Sequence, residues 1–175
     1  MDLTHQYPLL CELEQLRSLA IAKCDSLDGV SDDLIADPKQ CMTAFKAQDY
    51  VGKTFDCSDN GATMPLSAAA ADVAEAIWSG PKYSNGDFMW YGYDFGTDLS
   101  TRAATSCTSG GGCIPESRTS LQFWWQFFVL KDLSANVTML THAQFDQLYI
   151  TLKKEMAAIE ASEPRNSSSN LRVQR

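Results

Sequence analysis

Cys24-Asp-Ser-Leu-Asp-Gly-Val-Ser-Asp-Asp-Leu-Ile-Ala-Asp-Pro-Lys-Gln-Cys41 places five aspartates and one lysine between two cysteines. The aspartates fall within thirteen residues: Asp25, Asp28, Asp32, Asp33 and Asp37. Their carboxylates repel one another, and they follow the end of a predicted helix, where the helix dipole already disfavours negative charge. A cation would relieve both effects. The ion that suits carboxylate and carbonyl oxygens in a flexible shell is calcium.

The spacing of the acidic residues is compatible with a bound ion. Asp25, Asp28 and Asp32 are three or four residues apart, and a glycine permits a tight turn between them. The carbonyls of Val30 and Leu34 alternate with them and can supply neutral oxygens. The stretch is not an EF-hand, because the D-x-D-x-D-G run and the closing glutamate are missing. On the local sequence, a calcium loop and a solvated turn closed by its own aspartates both remain open.

The region from Pro8 to Pro38 resembles the lid domain of the tannase and feruloyl esterase family, secreted serine esterases with an α/β-hydrolase core. The matching pieces are Tyr-Pro-x-x-Cys-Glu-Leu at 7–13, Ala-Ile-Ala-Lys-Cys-Asp-Ser-Leu-Asp-Gly-Val at 20–30, and Ile-Ala-Asp-Pro at 35–38. Weaker matches extend the resemblance to residues 7–160; they lie at 69–81, 86–96, 128–132 and 139–148.

The resemblance implies a structural calcium ion in this loop. Its ligands would be three carboxylates and two backbone carbonyls, from Asp25, Asp28, Val30, Asp32 and Leu34. The resemblance also implies that a Cys24–Cys41 disulfide clamps the loop, and closing this separation of 17 residues contributes about 3 kcal/mol. Asp33 stands where the family usually has glycine. It adds a charge and is expected to strain the turn without removing a ligand.

The six cysteines indicate disulfides and an oxidising compartment, because no C-x-x-C pair is present and two histidines are too few for a usual zinc site. With Cys24–Cys41 assigned, elimination pairs Cys107 with Cys113 and Cys11 with Cys57. The last pairing departs from the commoner family pattern. Glycosylation sequons at Asn136 and Asn166 also favour a secreted parent protein.

The composition and charge of the chain limit the classes of protein to which it can belong. The chain has 175 residues, 21% charged and 45% apolar, which suits one globular domain, expected over residues 1–161. A net charge of −8 argues against nucleic acid or an anionic membrane as partner, and no apolar run approaches membrane-spanning length. The N-terminus lacks the basic and apolar regions of a signal peptide. We therefore expect a fragment of a secreted protein or a reading frame that starts internally. The oligomeric state stays undetermined.

The residue pattern predicts a mainly α fold with a minor β element, and the family resemblance implies that it is the lid-domain fragment of an α/β-hydrolase-fold esterase. Helical periodicity and capping residues predict four helices: Leu9–Lys23, a helix capped by Ser67 and ending at Trp78, Ser120–Lys131, and a helix opened by a Thr141–Gln144 capping box and ending near Ala161. The third of these is strongly apolar and is expected to be buried.

The segments between the helices are assigned less regular structure. Asn85-Gly86 predicts a turn, and the aromatic run Phe88–Phe95 predicts a strand or hairpin arm. Met42–Asn60 is expected to be irregular, and Leu99–Pro115 to be a loop tied by its disulfide. The polar tail 162–175 is expected to be disordered.

A serine esterase needs a nucleophile on a strained elbow, a histidine base and a carboxylate, and none of these is predicted in this chain. Gly-x-Ser-x-Gly is absent, and Cys57-Ser-Asp-Asn-Gly61 is better explained as a turn. His5 and His142 lack the adjacent cysteine that the family's base has. The resemblance places the triad outside this chain.

What remains for function is a contribution to a substrate pocket. Aromatic faces pack well on planar phenolic groups, and an arginine can hold a carboxylate or galloyl group. The candidates are Trp90, Arg118, Phe123, Trp124 and Trp125, for each of which an ordinary structural role is the alternative. The sequence thus predicts the calcium-stabilised lid of an esterase acting on phenolic-acid esters, inactive alone. The rival hypothesis is a free-standing secreted calcium-binding module without catalysis.

Overall fold

The computed structural model describes residues 6–108, 112–116, 119–137 and 140–162, and it divides into two compact units, residues 1–118 and 119–175. Unit 1 contains helices α1 (Leu10–Cys24), α2 (Pro38–Ala44) and α3 (Ala68–Ser79). It also contains strands β1 (Thr54–Asp56), β2 (Thr63–Pro65), β3 (Thr105–Cys107) and β4 (Cys113–Pro115). Unit 2 contains α4 (Thr119–Trp124), a π-helical turn (Trp125–Leu130) and α5 (His142–Ser162). The prediction of a mainly α fold with a minor β element is confirmed.

Two helices form the centre of unit 1. α1 buries Leu13, Leu16 and Ala20 on one face, as its periodicity predicts. α3 presents an alanine face to the same core, because its fully buried residues are Ala70, Ala71 and Ala74. Small side chains let two helices approach closely. Phe45, Trp78, Phe95 and Leu99 complete this core.

The start of both helices depends on one buried carboxylate. Glu12 is 3% exposed. Its Oε2 accepts a hydrogen bond from the Leu9 N–H at 2.9 Å, and its Oε1 accepts one from the Ser67 N–H at 2.9 Å. Ser67 Oγ in turn accepts from the Ala70 N–H at 3.1 Å, which confirms the predicted cap of α3. The carboxylate therefore joins the first turn of α1 to the N-cap of α3.

Two segments are more regular than the sequence predicts. Met42–Asn60, expected to be irregular, contains the end of α2, a 3₁₀ turn (Ala47–Tyr50) and β1. β1 pairs with β2 in an antiparallel hairpin. Within Leu99–Pro115, expected to be a loop, β3 and β4 form a second hairpin, with Cys107 opposite Cys113. Three-residue strands are too short for an alternating pattern to be visible in sequence.

The segment Phe88–Phe95 is the reverse case: the predicted strand is wrong, and the predicted hairpin arm is reduced to a single β-bridge. Only Phe88 makes a β-bridge, to Lys82, across the turn predicted at Asn85-Gly86. The rest is irregular backbone packed against the end of α3: the Tyr93 N–H donates to Ile77 O at 3.0 Å. A Cβ on Gly92 would overlap the Trp78 carbonyl and lie 2.7 Å from Gly80 N. Close backbone contact, not strand pairing, fixes this segment.

In unit 2 the predicted helix over Ser120–Lys131 is present, but its expected burial is wrong. α4 passes into the π-helical turn, where the buried side chains are Gln126 and Val129. The exposed aromatic residues on this stretch are Phe123, Trp124, Phe127 and Phe128, with exposures of 50%, 36%, 55% and 65%. Gln126 Nε2 donates to Ala135 O at 2.8 Å. A polar side chain is therefore buried in this stretch, while most of its aromatic neighbours are exposed.

The last described helix, α5, starts as predicted. The Thr141 N–H donates to Gln144 Oε1 at 2.8 Å, and the Gln144 N–H donates to Thr141 Oγ1 at 3.3 Å. These reciprocal bonds form the capping box expected from the sequence. Residues 163–175, for which disorder is predicted, lie outside the described residues.

Three disulfides are present, Cys11–Cys57, Cys24–Cys41 and Cys107–Cys113. These are the pairs that the sequence analysis expected. All six cysteines belong to unit 1, so this unit carries the covalent cross-links of the described fold.

Candidate functional site

The acidic loop begins where α1 ends. After Cys24 the chain continues through a 3₁₀ turn, Asp25–Asp28, and Gly29 closes it in the left-handed region at φ 92°. Glycine adopts this conformation without the cost that a side chain would add. Cys24 is 2% exposed and Cys41 is fully buried, so the disulfide ties an exposed loop to the core.

Each predicted acidic ligand also organises the loop's own backbone. Asp25 Oδ1 accepts from the Asp32 N–H at 3.0 Å, and Asp28 Oδ1 accepts from the Val30 N–H at 2.9 Å. Asp32 Oδ1 accepts from the Leu34 N–H at 3.2 Å. The carboxylates therefore curl the loop, and each has a second oxygen available for a ligand.

Asp33 has a left-handed backbone at φ 62°. A residue with a Cβ pays roughly 1–2 kcal/mol for this conformation, although aspartate tolerates it better than most residues. This is the position at which the family usually has glycine, and the geometry agrees with the expected strain.

The donor chemistry of the loop fits calcium, because carboxylate and carbonyl oxygens are the ligands it prefers. The spacing of the carboxylates is wider than a closed shell. Among described residues, the group of His, Cys, Asp and Glu with three ligand atoms within 4.8 Å of one another is Cys11, Cys57 and Asp59. Its two sulfurs form a disulfide, so that group is not a metal centre. In the acidic loop, which lies wholly within the described residues, no three carboxylates have oxygens within 4.8 Å of one another.

The serine that most resembles a nucleophile lies in a turn. Ser58 follows β1 and donates from Oγ to Asp59 Oδ1 at 3.3 Å. The turn connects two antiparallel strands, whereas a nucleophile elbow joins a strand to a helix. His5 lies outside the described residues, and His142 is the first residue of α5, with Nε2 3.9 Å from Asp146 Oδ1.

The aromatic candidates fall in different units. Trp90 belongs to unit 1 and is 58% exposed. Trp124 and Trp125 belong to unit 2 and touch edge to face, with ring centroids 5.2 Å apart. Trp125 also contacts Phe145 of α5, at 5.8 Å. Arg118 lies outside the described residues.

Several aromatic residues that the sequence did not mark as candidates are exposed in the structure. Phe88 and Tyr91 are 60% and 73% exposed, and their rings are 5.1 Å apart beside Trp90. Met89 between them is 3% exposed, so it is the residue of this run that packs inward while Phe88, Trp90 and Tyr91 face outward. Phe127 and Phe128 are exposed because of the π-helical turn, which leaves no signal in the sequence.

Two carboxylates have perturbed titration. Hydrogen bonds from the Ser100 side chain, and then from backbone N–H groups, lower the pKa of Asp98. The Ser134 hydroxyl and N–H lower the pKa of Asp132 in the same way. Both are turn-forming aspartates, so neither perturbation marks a catalytic group.

Asn136, a predicted glycosylation position, is exposed between the π-helical turn and α5, and Asn166 lies outside the described residues. Within the described part of the chain, none of the helices combines the length and apolar character needed to cross a bilayer.

Comparison with known proteins gives consistent results. A family model described as tannase and feruloyl esterase matches residues 1–158. A probable feruloyl esterase from Arthroderma benhamiae is 28% identical over 145 residues, which cover 82% of this chain and 26% of the relative. Tannase from Aspergillus oryzae is 24% identical over 176 residues, covering 81% of this chain and 29% of the relative.

Solved structures share the fold. Tannin acyl hydrolase from Aspergillus niger superposes with a TM-score of 0.73 at 22% identity, covering 87% of this chain and 28% of that one. Feruloyl esterase B from Aspergillus oryzae gives a TM-score of 0.59 at 20% identity, over 86% of this chain and 27% of that one. The chain therefore spans between a quarter and a third of the length of these relatives.

Proposed function

Because the chain belongs to the tannase and feruloyl esterase family, we propose that it is the calcium-stabilised lid of a carboxylic ester hydrolase acting on phenolic-acid esters. The family match over residues 1–158 carries this proposal. The share of each relative that is covered supports a part of the enzyme rather than the whole. The lid assignment is supported by a helical fold whose described strands form two small antiparallel hairpins, without the parallel sheet of a hydrolase core.

In the complete enzyme a serine would attack the ester carbonyl, release the alcohol and leave an acyl-enzyme that water then hydrolyses. No residue of this chain is assigned to the triad. Its contribution would be to cover the pocket, and the candidates for contact with the phenolic group are Trp90 in unit 1 and, separately, Trp124 and Trp125 in unit 2. Arg118 would hold a polar group of the substrate. The exposure of Trp90 and Trp124 supports an interaction with something outside their own units.

Calcium belongs to this proposal as a structural ion. Asp25, Asp28 and Asp32 would hold it with the carbonyls of Val30 and Leu34. When bound it would neutralise the crowded carboxylates at the end of α1. The buried Cys24–Cys41 disulfide supports this role, because it limits how far the loop can open. We further propose that the parent protein is secreted and glycosylated at Asn136 and Asn166.

The proposal is tested by an activity assay on the 175-residue chain. We expect no release of ferulic or gallic acid from methyl ferulate or methyl gallate, with Aspergillus oryzae tannase as the positive control on methyl gallate. Phenolic acid release that a serine-directed inhibitor abolishes would contradict the assignment of a lid without a triad.

A calcium-binding module without catalysis is the second candidate. It is favoured by the position of the core and all three disulfides within unit 1, which gives that unit a self-sufficient interior. The DNA on both sides of the reading frame separates the two candidates. Codons for Cys-Ser-x-Gly-Gly upstream and His-Cys downstream would establish the esterase lid, and their absence would favour the module.

A further inference from the structure

The three disulfides differ sharply in their surroundings. Cys24, Cys41 and Cys57 are at most 2% exposed, and Cys11 is 6% exposed. Cys107, by contrast, is exposed at the end of β3, and Cys113 is half-buried. An incoming thiolate must reach a sulfur along the line of the S–S bond, so access controls which disulfide reacts.

Charge reinforces the difference for one buried pair. Asp59 has a carboxylate oxygen within 4.8 Å of both sulfurs of Cys11–Cys57, and its Oδ2 accepts from the Cys11 N–H at 3.0 Å. A neighbouring carboxylate repels an attacking thiolate and disfavours the thiolate that leaves. This disulfide is therefore shielded both by burial and by charge.

The hairpin that carries Cys107–Cys113 has anchors that do not depend on the disulfide. Thr105, 5% exposed, donates from Oγ1 to Pro8 O at 2.9 Å. The Glu116 N–H donates to Ala104 O at 2.9 Å. Both bonds lie outside the ring that the disulfide closes, so the base of the hairpin stays attached to unit 1 when the ring opens.

We propose that Cys107–Cys113 is a thiol-exchange site, a clip that a small external thiol opens while the other two disulfides stay closed. The thiolate attacks Cys107 Sγ, forms a mixed disulfide and releases Cys113 as a thiolate, which takes a proton from water. A second thiol attacks the external sulfur of the mixed disulfide, which breaks its bond to Cys107 Sγ and releases Cys107 as a thiolate that takes a proton from water. The two external thiols leave as an oxidised dimer, so two thiols are oxidised and one disulfide is reduced. This inference does not depend on the proposed esterase function.

The test is partial reduction of the native chain with dithiothreitol, followed by rapid alkylation and peptide mass spectrometry. We expect Cys107 and Cys113 to be alkylated at least about tenfold faster than the other four cysteines, because exposed disulfides are the labile ones. Alkylation of Cys11–Cys57 or Cys24–Cys41 first, or of all three pairs together, would overturn the proposal.

Two variants test the thiol-exchange proposal further. Cys107→Ser/Cys113→Ser should show no alkylation at the dithiothreitol dose that opens the clip in the native chain, and it should keep its native circular dichroism. Loss of the native signal in this variant would show that the clip holds the fold and would overturn the proposal. Asp59→Asn should accelerate alkylation at Cys11 and Cys57 only. An equal acceleration at Cys107 would contradict selective shielding by that carboxylate.

Discussion

Substitution of Asp28 gives the most direct test of the calcium proposal. Its Oδ1 already bonds the Val30 N–H, and an amide oxygen can keep that bond while losing the charge. Asp28→Asn should therefore abolish a calcium-dependent rise in melting temperature without collapsing the loop. For the native chain, calcium at a hundredfold excess over Kd should stabilise the fold by about 2–3 kcal/mol.

The measurement is thermal unfolding with calcium and with excess EDTA. Asp49→Asn, which changes an exposed carboxylate outside the loop, is the matched control and should leave the calcium response intact. If EDTA leaves the native melting temperature unchanged, the aspartates form only a solvated turn.

Substitutions of Trp78 separate the contribution of ring packing in unit 1 from the cost of burying an unpaired indole N–H. Its ring stacks on Phe95 at 4.7 Å and meets Phe45 edge to face at 5.7 Å, while its indole N–H is buried with no hydrogen-bond partner among described residues. An unpaired buried donor costs free energy, so Trp78→Phe loses area but also removes that cost. We expect Trp78→Phe to destabilise by under about 1.5 kcal/mol and Trp78→Ala by about 3–5 kcal/mol. Urea unfolding of both variants checks this, and equal losses would show that the N–H is satisfied.

At the scale of elements, the end of α3 and the segment after it come into close backbone contact at Gly80 and Gly92. Gly92→Ala places a methyl group against the Trp78 carbonyl, a backbone atom that cannot rotate away. We expect it to cost more than about 2 kcal/mol of unfolding free energy. Gly96→Ala is the matched control, since nothing lies within 4 Å of its Cβ position, and it should change stability little. Similar chemical-denaturation midpoints for the two variants would contradict the close approach.

The helices could be predicted because their signals are local. Ser67 and Thr141 supply caps whose partners lie three residues away, and Leu13, Leu16 and Ala20 mark one helical face. The mainly α character of the fold followed from these patterns alone.

The hairpins are missed because their strands are too short for an alternating pattern, and the exposure of the aromatic helix is not encoded in its local pattern. β3 pairs with β4 through a register set partly by Cys107–Cys113, and each strand has three residues. Ser120–Lys131 was expected to be buried because apolar residues usually are. That rule does not distinguish apolar residues in a protein core from apolar residues on a surface.

For the molecule as a whole, the division into units yields a prediction about autonomy. The buried cluster of unit 1 runs from Leu13 to Ala103, and its cross-links are internal. Residues 1–118 alone should unfold cooperatively, with a melting temperature within about 5 °C of the full chain. Residues 119–175 alone should show no cooperative transition, because Gln126, Val129 and Asp146 are the buried residues that the structure describes there, and two of them are polar. Circular dichroism melts of both pieces decide this, and an unfolded 1–118 would contradict it.

The candidate site was predictable only in part at this scale. The composition of the 24–41 loop suggested calcium, but the ligand set came from family resemblance, because spacing alone also fits a solvated turn. The sequence does not rank the substrate candidates Trp90 and Trp124, because an exposed aromatic residue carries no local signal of what it contacts.

The π-helical turn Trp125–Leu130 has a consequence for how this surface can change by mutation. Its i→i+5 bonding accommodates one residue more than an α-helical turn. Deleting a single residue there would restore α-helical bonding and leave the residues beyond the turn at nearly their present angle about the helix axis. Only residues within the turn, Phe127 and Phe128 among them, would change their direction. A one-codon deletion would thus alter the exposed aromatic residues of the turn without substitution of any of them and without rotating the chain that follows.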